Sequence, residues 1–441
     1  MNANEKTVAL VSLGCDKNTV DSEKILFSVK NAGFNITSNL SEANIIILNT
    51  CAFILDAQQE SIDSILNAEQ YKNDGVCEKI LVCGCLVARN GADLIKEIPS
   101  IDRIVNINEY DKIPEIICEL YHEENFNICE LPTSGRILST PQHYAYVKIA
   151  DGCDNFCTYC TIPKIRGHYR SRKIEDIVDE CETLANEGVK ELIIVAQDVT
   201  RYGIDLYGEY KIVELINKLS AINGIKWIRL HYCYPELISD ELINLVATND
   251  KVCKYFDIPL QHITDNVLKR MNRRSTYNSI CKLIEKIKSQ PCKIAIRSSF
   301  IVGFPNETDE DFIQLKEFIE KYKLDNVGVF QYSREEGTPA YSMPNQILSK
   351  VKKQRQKVIY QAQQIIVKQK NESMRGETIT AVCDDVDDTR AILRSEYNSP
   401  NVDTVIICET IDGIKQGQFY QVEIIGSTDY DLIGKIKGEN L

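Results

Sequence analysis

Short apolar, β-rich runs alternate along the first part of this chain with stretches that carry their apolar residues at helical spacing. TVALVSL precedes DSEKILFSVKNAG, ANIIILN precedes AQQESIDSILNAEQ, and KILVCG precedes GADLIKEI. That alternation predicts an open parallel α/β domain over residues 1–135. Each of the three predicted strands runs into a cysteine, at Cys15, Cys51 and Cys85. In open α/β sheets the carboxyl ends of the strands line the binding crevice, so three thiols far apart in sequence are expected to converge. Cys83, two residues before Cys85, is expected on the same face but deeper, as packing.

A second series occupies residues 140–370. The predicted strands YAYVKIAD, ELIIVAQD, WIRLHYCY, YFDIPLQ, KIAIRSSFIVGF and NVGVFQYS are separated by helical patterns such as IEDIVDECETLANEG. Six βα repeats are two short of a closed eightfold barrel, which predicts a partial (βα)6 barrel with its chemistry at the carboxyl ends of the strands. A charged helix is expected over Leu348–Ser373. Beyond it, residues 374–441 read as short strands broken by turn residues, a small β-barrel. The predicted fold class is therefore α/β with a small all-β tail.

Composition adds limits. The chain has 441 residues, 44% hydrophobic and 26% charged, too long for one ordinary core and without an apolar run near the roughly 18 residues that span a bilayer. The amino terminus shows no basic stretch followed by an apolar one, so a cytoplasmic location and no membrane contact are expected. Seventeen cysteines, an odd number in a large chain, point to thiols used in packing or metal binding rather than to a disulfide framework. Cys118, Cys181, Cys253, Cys281 and Cys408 read as small buried hydrophobes. The net charge is -13, and residues 375–441 hold six Lys/Arg against thirteen Asp/Glu, a net of -7. Such a tail is not expected to meet a phosphate backbone.

The motif with the most chemistry is GCDNFCTYC, in the loop after the first strand of the second series. Cys153, Cys157 and Cys160 form a C-x3-C-x2-C array. A structural zinc site takes four ligands, and the next candidates, His168 and Cys181, lie beyond a proline and a run of bases. An iron-sulfur cube held through three irons fits the count, with the fourth iron open, and soft thiolates suit iron-sulfur or zinc over hard cations.

This spacing, with Tyr159 before the last cysteine and the loop placed after the first strand of a βα barrel, resembles the radical S-adenosylmethionine superfamily. The resemblance implies a 4Fe-4S cluster on Cys153, Cys157 and Cys160. It also implies S-adenosylmethionine on the open iron, cleaved by one electron to a 5'-deoxyadenosyl radical that abstracts hydrogen. Tyr159, Gln197 with Asp198, Gln261 and the turn Ile301–Thr308 are the expected cofactor-binding positions. The alternative for each is ordinary polar packing at the barrel mouth.

Over essentially its whole length the chain resembles one branch of that superfamily, the methylthiotransferases. The shared order is an α/β domain with three dispersed cysteines, a radical barrel and a TRAM β-barrel. The resemblance implies a second 4Fe-4S cluster on Cys15, Cys51 and Cys85, and S-adenosylmethionine as both radical source and methyl donor. Two sub-branches compete: one modifies an aspartate β-carbon of the twelfth small-subunit ribosomal protein, the other an adenosine of transfer RNA. SLGCDKNTVDSEK, with Lys17-Asn18, GCDNFCTYCTIPKIRGHYRSR, DIPLQHITDNVLKRMNR and RSEYNSPNVD are similar to the first.

The acidic tail agrees, since it suits a strongly basic ribosomal protein as partner better than RNA. A flavodoxin- or ferredoxin-type reducing partner is also implied. Two departures stand out: Asn306 replaces a usual glycine, and NSPNVDT lacks an acidic residue and a glycine found there in the branch. Basic clusters occur at Lys164–Lys173 and Lys269–Arg274; for the first, which follows the cysteine loop, the resemblance implies a guide for an anionic cofactor or the substrate aspartate, with a solvated face as the alternative. A non-catalytic iron-sulfur or zinc protein that binds ribosomal components is the alternative of another class.

Overall fold

The computed structural model describes residues 6–121, 135–410 and 413–439. The chain divides into two compact units, Met1–Ser139 with Asp151–Asp154 and Cys160–Arg170, and Thr140–Ala150 with Asn155–Tyr159 and Ser171–Leu441.

The first unit contains a five-stranded parallel sheet in the order Asn35–Ile36, Thr7–Ser12, Ile45–Thr50, Lys79–Gly84 and Arg103–Val105. The central strand Ile45–Thr50 is buried throughout, as expected of a parallel strand covered on both faces. Its side chains alternate between two cores. Ile46 and Leu48 pack with Ile80 and Val82, whereas Ile45 and Ile47 pack with Val8, Leu81 and Cys83. The helices Asp16–Asn31, Leu55–Asp74 and Cys85–Glu97 follow the three main strands.

The expectation that Cys83 and Cys85 share a face is overturned. Gly84 takes φ 95°, which ends the strand and starts a helix at Cys85, so the period of two does not carry across. Cys83 is fully buried in one core while Cys85 belongs to the other.

In the second unit six parallel strands form two sheets, ordered Trp227–Leu230, Glu191–Val195, Tyr144–Lys148 and Tyr255–Gln261, Ala295–Val302, Asn326–Gln331. Backbone bonds from Cys253 N to Ile228 O at 2.9 Å and from Cys233 N to Asp257 O at 2.8 Å join them. Cys118, Cys181, Cys253, Cys281 and Cys408 are all buried, consistent with a packing role.

After the helix Ser349–Ser373, the tail closes into a barrel in the order Thr378–Val386, Arg390–Ser395, Ile406–Glu409, Leu432–Glu439 and Phe419–Ser427. Within this unit the tail is fixed to the α/β strands by buried charge. Arg394 meets Glu191 at 2.6 Å and Asp384 at 2.7 Å, and Arg229 reaches the same Glu191 at 2.8 Å. The segment NSPNVDT belongs to this contact. His231 Nε2 lies 2.7 Å from Ser399 Oγ, and Tyr255 Oη donates to Asp403 at 2.8 Å. Ser399 and Asp403 of this segment thus face an internal seam, while Asn401 and Val402 stay exposed. Asn401 there takes φ 65°, and Asn306 takes φ 63°. Asn tolerates this left-handed geometry better than most side chains.

Candidate metal centres and cofactor-binding residues

Three strand ends place Cys15, Cys51 and Cys85. Cys15 caps the helix Asp16–Asn31, Cys51 directly follows the strand ending at Thr50, and Cys85 opens the helix Cys85–Glu97. They come together. A Cβ placed on Gly14, whose φ is +93°, would lie 2.6 Å from Cys51 Cβ and 2.7 Å from Cys51 Sγ. Ser61 holds the Cys51 backbone, accepting from its N–H at 3.0 Å and donating to its carbonyl at 2.8 Å. Asn18 ties two strand ends together, donating to Leu13 O at 2.9 Å and Thr50 O at 3.0 Å.

Burial pushes the Cys85 thiol up to about 11, against the pull of Arg166, and raises Cys51 as well. Loading a metal centre must therefore displace protons from these sulfurs.

The donor set fits a cluster that keeps one iron free of protein. Cys83 turns into the opposite core, and the group beside Cys85 is a guanidinium, which is no metal ligand: Arg166 Nη2 stands 3.6 Å from Cys85 Sγ. Among the described residues no three His, Cys, Asp or Glu side chains converge on a single ion. A cluster does not need them to, because its thiolates bind different irons.

In the second unit, Cys157 Sγ lies 3.8 Å from Tyr234 Oη, and the Arg273 guanidinium stacks 4.0 Å above the Tyr234 ring. The flanking loop is tied down by Thr158 N to Met271 O at 3.1 Å and by Asn272 Nδ2 to Phe156 O at 3.0 Å. Asn155 Nδ2 donates to Asp198 at 3.0 Å. Cys153 and Cys160 sit in the first unit, where Cys153 N donates to Gly167 O at 3.1 Å. Gly152 admits no side chain, since a Cβ would lie 2.0 Å from His168 O. Of the two candidate fourth ligands, Cys181 is fully buried in the helix Ile174–Asn186, whereas His168 is exposed with its Nδ1 paired to Asp154 at 2.8 Å.

Three family models match the chain. The radical SAM superfamily model matches residues 147–319, that of Uncharacterized protein family UPF0004 matches residues 7–106, and that of the TRAM domain matches residues 376–436. The chain is 46% identical to "Ribosomal protein uS12 methylthiotransferase RimO" of Acetivibrio thermocellus, over 99% of each chain. It is 45% identical to the protein of that name from Clostridium tetani, over 98% of each. The chain belongs to the RimO family of radical SAM methylthiotransferases.

Among solved structures, the radical S-adenosylmethionine methyltransferase TsrM of Kitasatospora setae superposes with a TM-score of 0.56 at 13% identity, covering 76% of this chain and 77% of its own. That likeness shows the fold.

As a RimO-family enzyme the chain acts through a 4Fe-4S cluster and S-adenosylmethionine. Of the residues expected to contact that cofactor, Tyr159 is half-buried against Val267, Met271, Phe304 and Tyr332. Gln197 is half-buried just past the strand Glu191–Val195, and Gln261 ends its strand at φ 66° beside a register shift. Much of the turn Ile301–Thr308 is engaged internally. Glu307 accepts from Phe304 N at 2.9 Å and meets Arg355 at 3.0 Å, while Thr308 caps the next helix through Asp311.

Each basic cluster contains one buried arginine, while Lys164, Arg170, Lys173, Lys269 and Arg274 are exposed. Arg166 is 4% exposed and pairs with Asp21 at 2.8 Å and Asp151 at 3.2 Å. Arg172 pairs with Glu180 at 2.6 Å, and Arg273 is 6% exposed on Tyr234. The exposed members fit a solvated face; Arg166 does not, and sequence does not show its buried partner Asp21, 145 positions away. Arg166, Tyr234 and Arg273 are the residues near the cysteines that sequence reasoning missed. Buried arginine within a run of bases leaves no separate signal.

Proposed function

We propose that this enzyme converts an aspartate of ribosomal protein uS12 to its 3-methylthio derivative, the relatives being named for that protein. Residues 140–370 would carry the radical cluster on Cys153, Cys157 and Cys160. Residues 1–135 would carry a second 4Fe-4S cluster on Cys15, Cys51 and Cys85, and residues 374–441 would serve docking. Tyr159, Gln197 and Gln261 would hold S-adenosylmethionine, which supplies the oxidising radical and the methyl group. A flavodoxin- or ferredoxin-type protein is the expected reductant, and the cytoplasm the expected compartment.

The observation that carries the reading is the meeting of three thiols from three separate strand ends. Gly14 has no room for a side chain beside Cys51, so the backbone itself is shaped around the sulfurs. The protein's part is to orient reactants and exclude water. Ser61 and Asn18 fix the backbone at two of the three strand ends.

The acidic tail supports a basic protein partner, although part of that charge is internal. Asp384 and Asp403 answer Arg394 and Arg297 inside the unit, and Asp387 and Asp429 are among those left outside.

The test is mass spectrometry of uS12 and of bulk transfer RNA from cells with and without the gene. A methylthio mass shift on the uS12 aspartate that disappears with the gene is expected. Loss of a methylthio adenosine with uS12 unchanged would move the chain to the RNA-modifying branch.

A further inference from the structure

One guanidinium in the first unit has four partners. Arg166 Nη1 donates to Asp21 Oδ2 at 2.8 Å and to Asp151 Oδ2 at 3.2 Å. Its Nη2 donates to Asn18 Oδ1 at 2.5 Å and points at Cys85 Sγ at 3.6 Å. The residue follows Cys160 by six positions, on the segment Cys160–Arg170 that packs with the first unit. Asn18 in turn holds the strand ends that lead to Cys15 and Cys51. Three side chains from two separate stretches of sequence, Asn18 and Asp21 on one helix and Asp151 beyond, thus fix the guanidinium plane, and Nη2 also faces a sulfur from a third.

Resting on the reading of Cys15, Cys51 and Cys85 as ligands, we propose that Arg166 is a positioning residue of that centre: its N–H group donates to the Cys85 sulfur and sets the centre's reduction potential. Hydrogen bonds to ligating sulfur and nearby charge are the protein's levers on an iron-sulfur potential. A reduced cluster carries one more negative charge than an oxidised one. A fixed cation and donor at the thiolate stabilise the reduced form and raise the potential.

Asp21 and Asp151 do not cancel this. They bind the Nη1 side and hold the plane, while Nη2 is the nitrogen that reaches the sulfur. The arrangement also explains why a residue in a basic run is buried: its charge answers groups inside the fold.

The experiment uses the full-length chain, reconstituted anaerobically, with Cys153, Cys157 and Cys160 replaced by alanine so that only the first-unit thiols load. Midpoint potential is read by mediated titration followed by electron paramagnetic resonance, with iron counted in parallel. Arg166→Gln should titrate at a lower potential than its Arg166 parent, and Arg166→Lys between the two. In a Cys15→Ala, Cys51→Ala, Cys85→Ala background, Arg166→Gln should leave the other centre's potential where it was.

Because Arg166→Gln strands Asp21, the charge-balanced pair Asp21→Asn with Arg166→Gln is measured as well. An unchanged potential in either iron-replete variant overturns the inference and leaves the proposed function standing. So does a balanced variant that melts like its parent yet binds no iron, since Arg166 would then serve loading rather than poise. A parent that loads no iron at all removes the two-cluster reading first, and this inference with it.

Discussion

The Arg394 guanidinium donates to the Glu191 carboxylate at 2.6 Å, and both side chains are closed to solvent. One belongs to the tail barrel and the other to a central strand of the α/β part, so the pair is a seam between two architectures. Burial opposes the charged state of each, yet mutual attraction keeps the Glu191 carboxyl below its ordinary range. Removing one partner strands a buried charge. Arg394→Ala should cost about 3 kcal/mol, the low end for a broken buried pair because Arg229 still answers Glu191. Urea unfolding measures the loss, and limited proteolysis should then cut within Ser349–Ser373 faster than in the parent.

Acid sensitivity is expected at His262. Burial lowers its ring from 6.5 to about 3, and Nδ1 accepts from Thr264 N at 3.2 Å. The folded state thus binds the proton less readily than the unfolded state. Its contribution is complete above pH 6.5 and is lost progressively as pH falls toward about 3. In His262→Asn, whose side-chain oxygen can stand in for Nδ1, the slope of unfolding free energy over that window should flatten. An unchanged slope assigns the acid sensitivity to other groups.

At Asn306 the left-handed backbone predicts an ordered series. Asn306→Gly should stay within about 1 kcal/mol of the parent, since glycine adopts this geometry freely and loses two exposed side-chain bonds, the one donated to Pro344 O at 3.1 Å and the one accepted from Asn345 Nδ2 at 2.7 Å. Asn306→Val should cost about 1–2 kcal/mol. Thermal melting of the three proteins checks the order.

Cysteine replacements should sort by iron. Cys15→Ala, Cys51→Ala or Cys85→Ala should each remove about four irons per chain, whereas Cys181→Ala and Cys253→Ala should remove none and only lower stability. Elemental analysis after anaerobic reconstitution reads the difference. Iron lost from Cys253→Ala as well would mean that the count follows folding rather than ligation.

Much of the architecture was legible because the evidence for it is local. ANIIILN and ELIIVAQD announce buried parallel strands, and a cysteine after each of three strands follows from counting along the chain. The edge strands Asn35–Ile36 and Arg103–Val105 were not, because two or three residues cannot display a period. The face of Cys83 was misread because one glycine at φ 95° resets the alternation. Arg166, within the run Lys164–Lys173, was missed for a different reason. Charge is visible in sequence, but whether a charge is solvated depends on partners such as Asp21, 145 positions from Arg166.

The seam at Glu191 bears on how such enzymes can be recombined. A tail barrel transplanted from a relative would arrive with its own residue where Arg394 stands, and it would have to suit a carboxylate and the neighbouring Arg229 that stay behind in the recipient. The compact, self-closing barrel looks like a detachable cassette, but exchanging it means moving at least positions 191, 384 and 394 as one set.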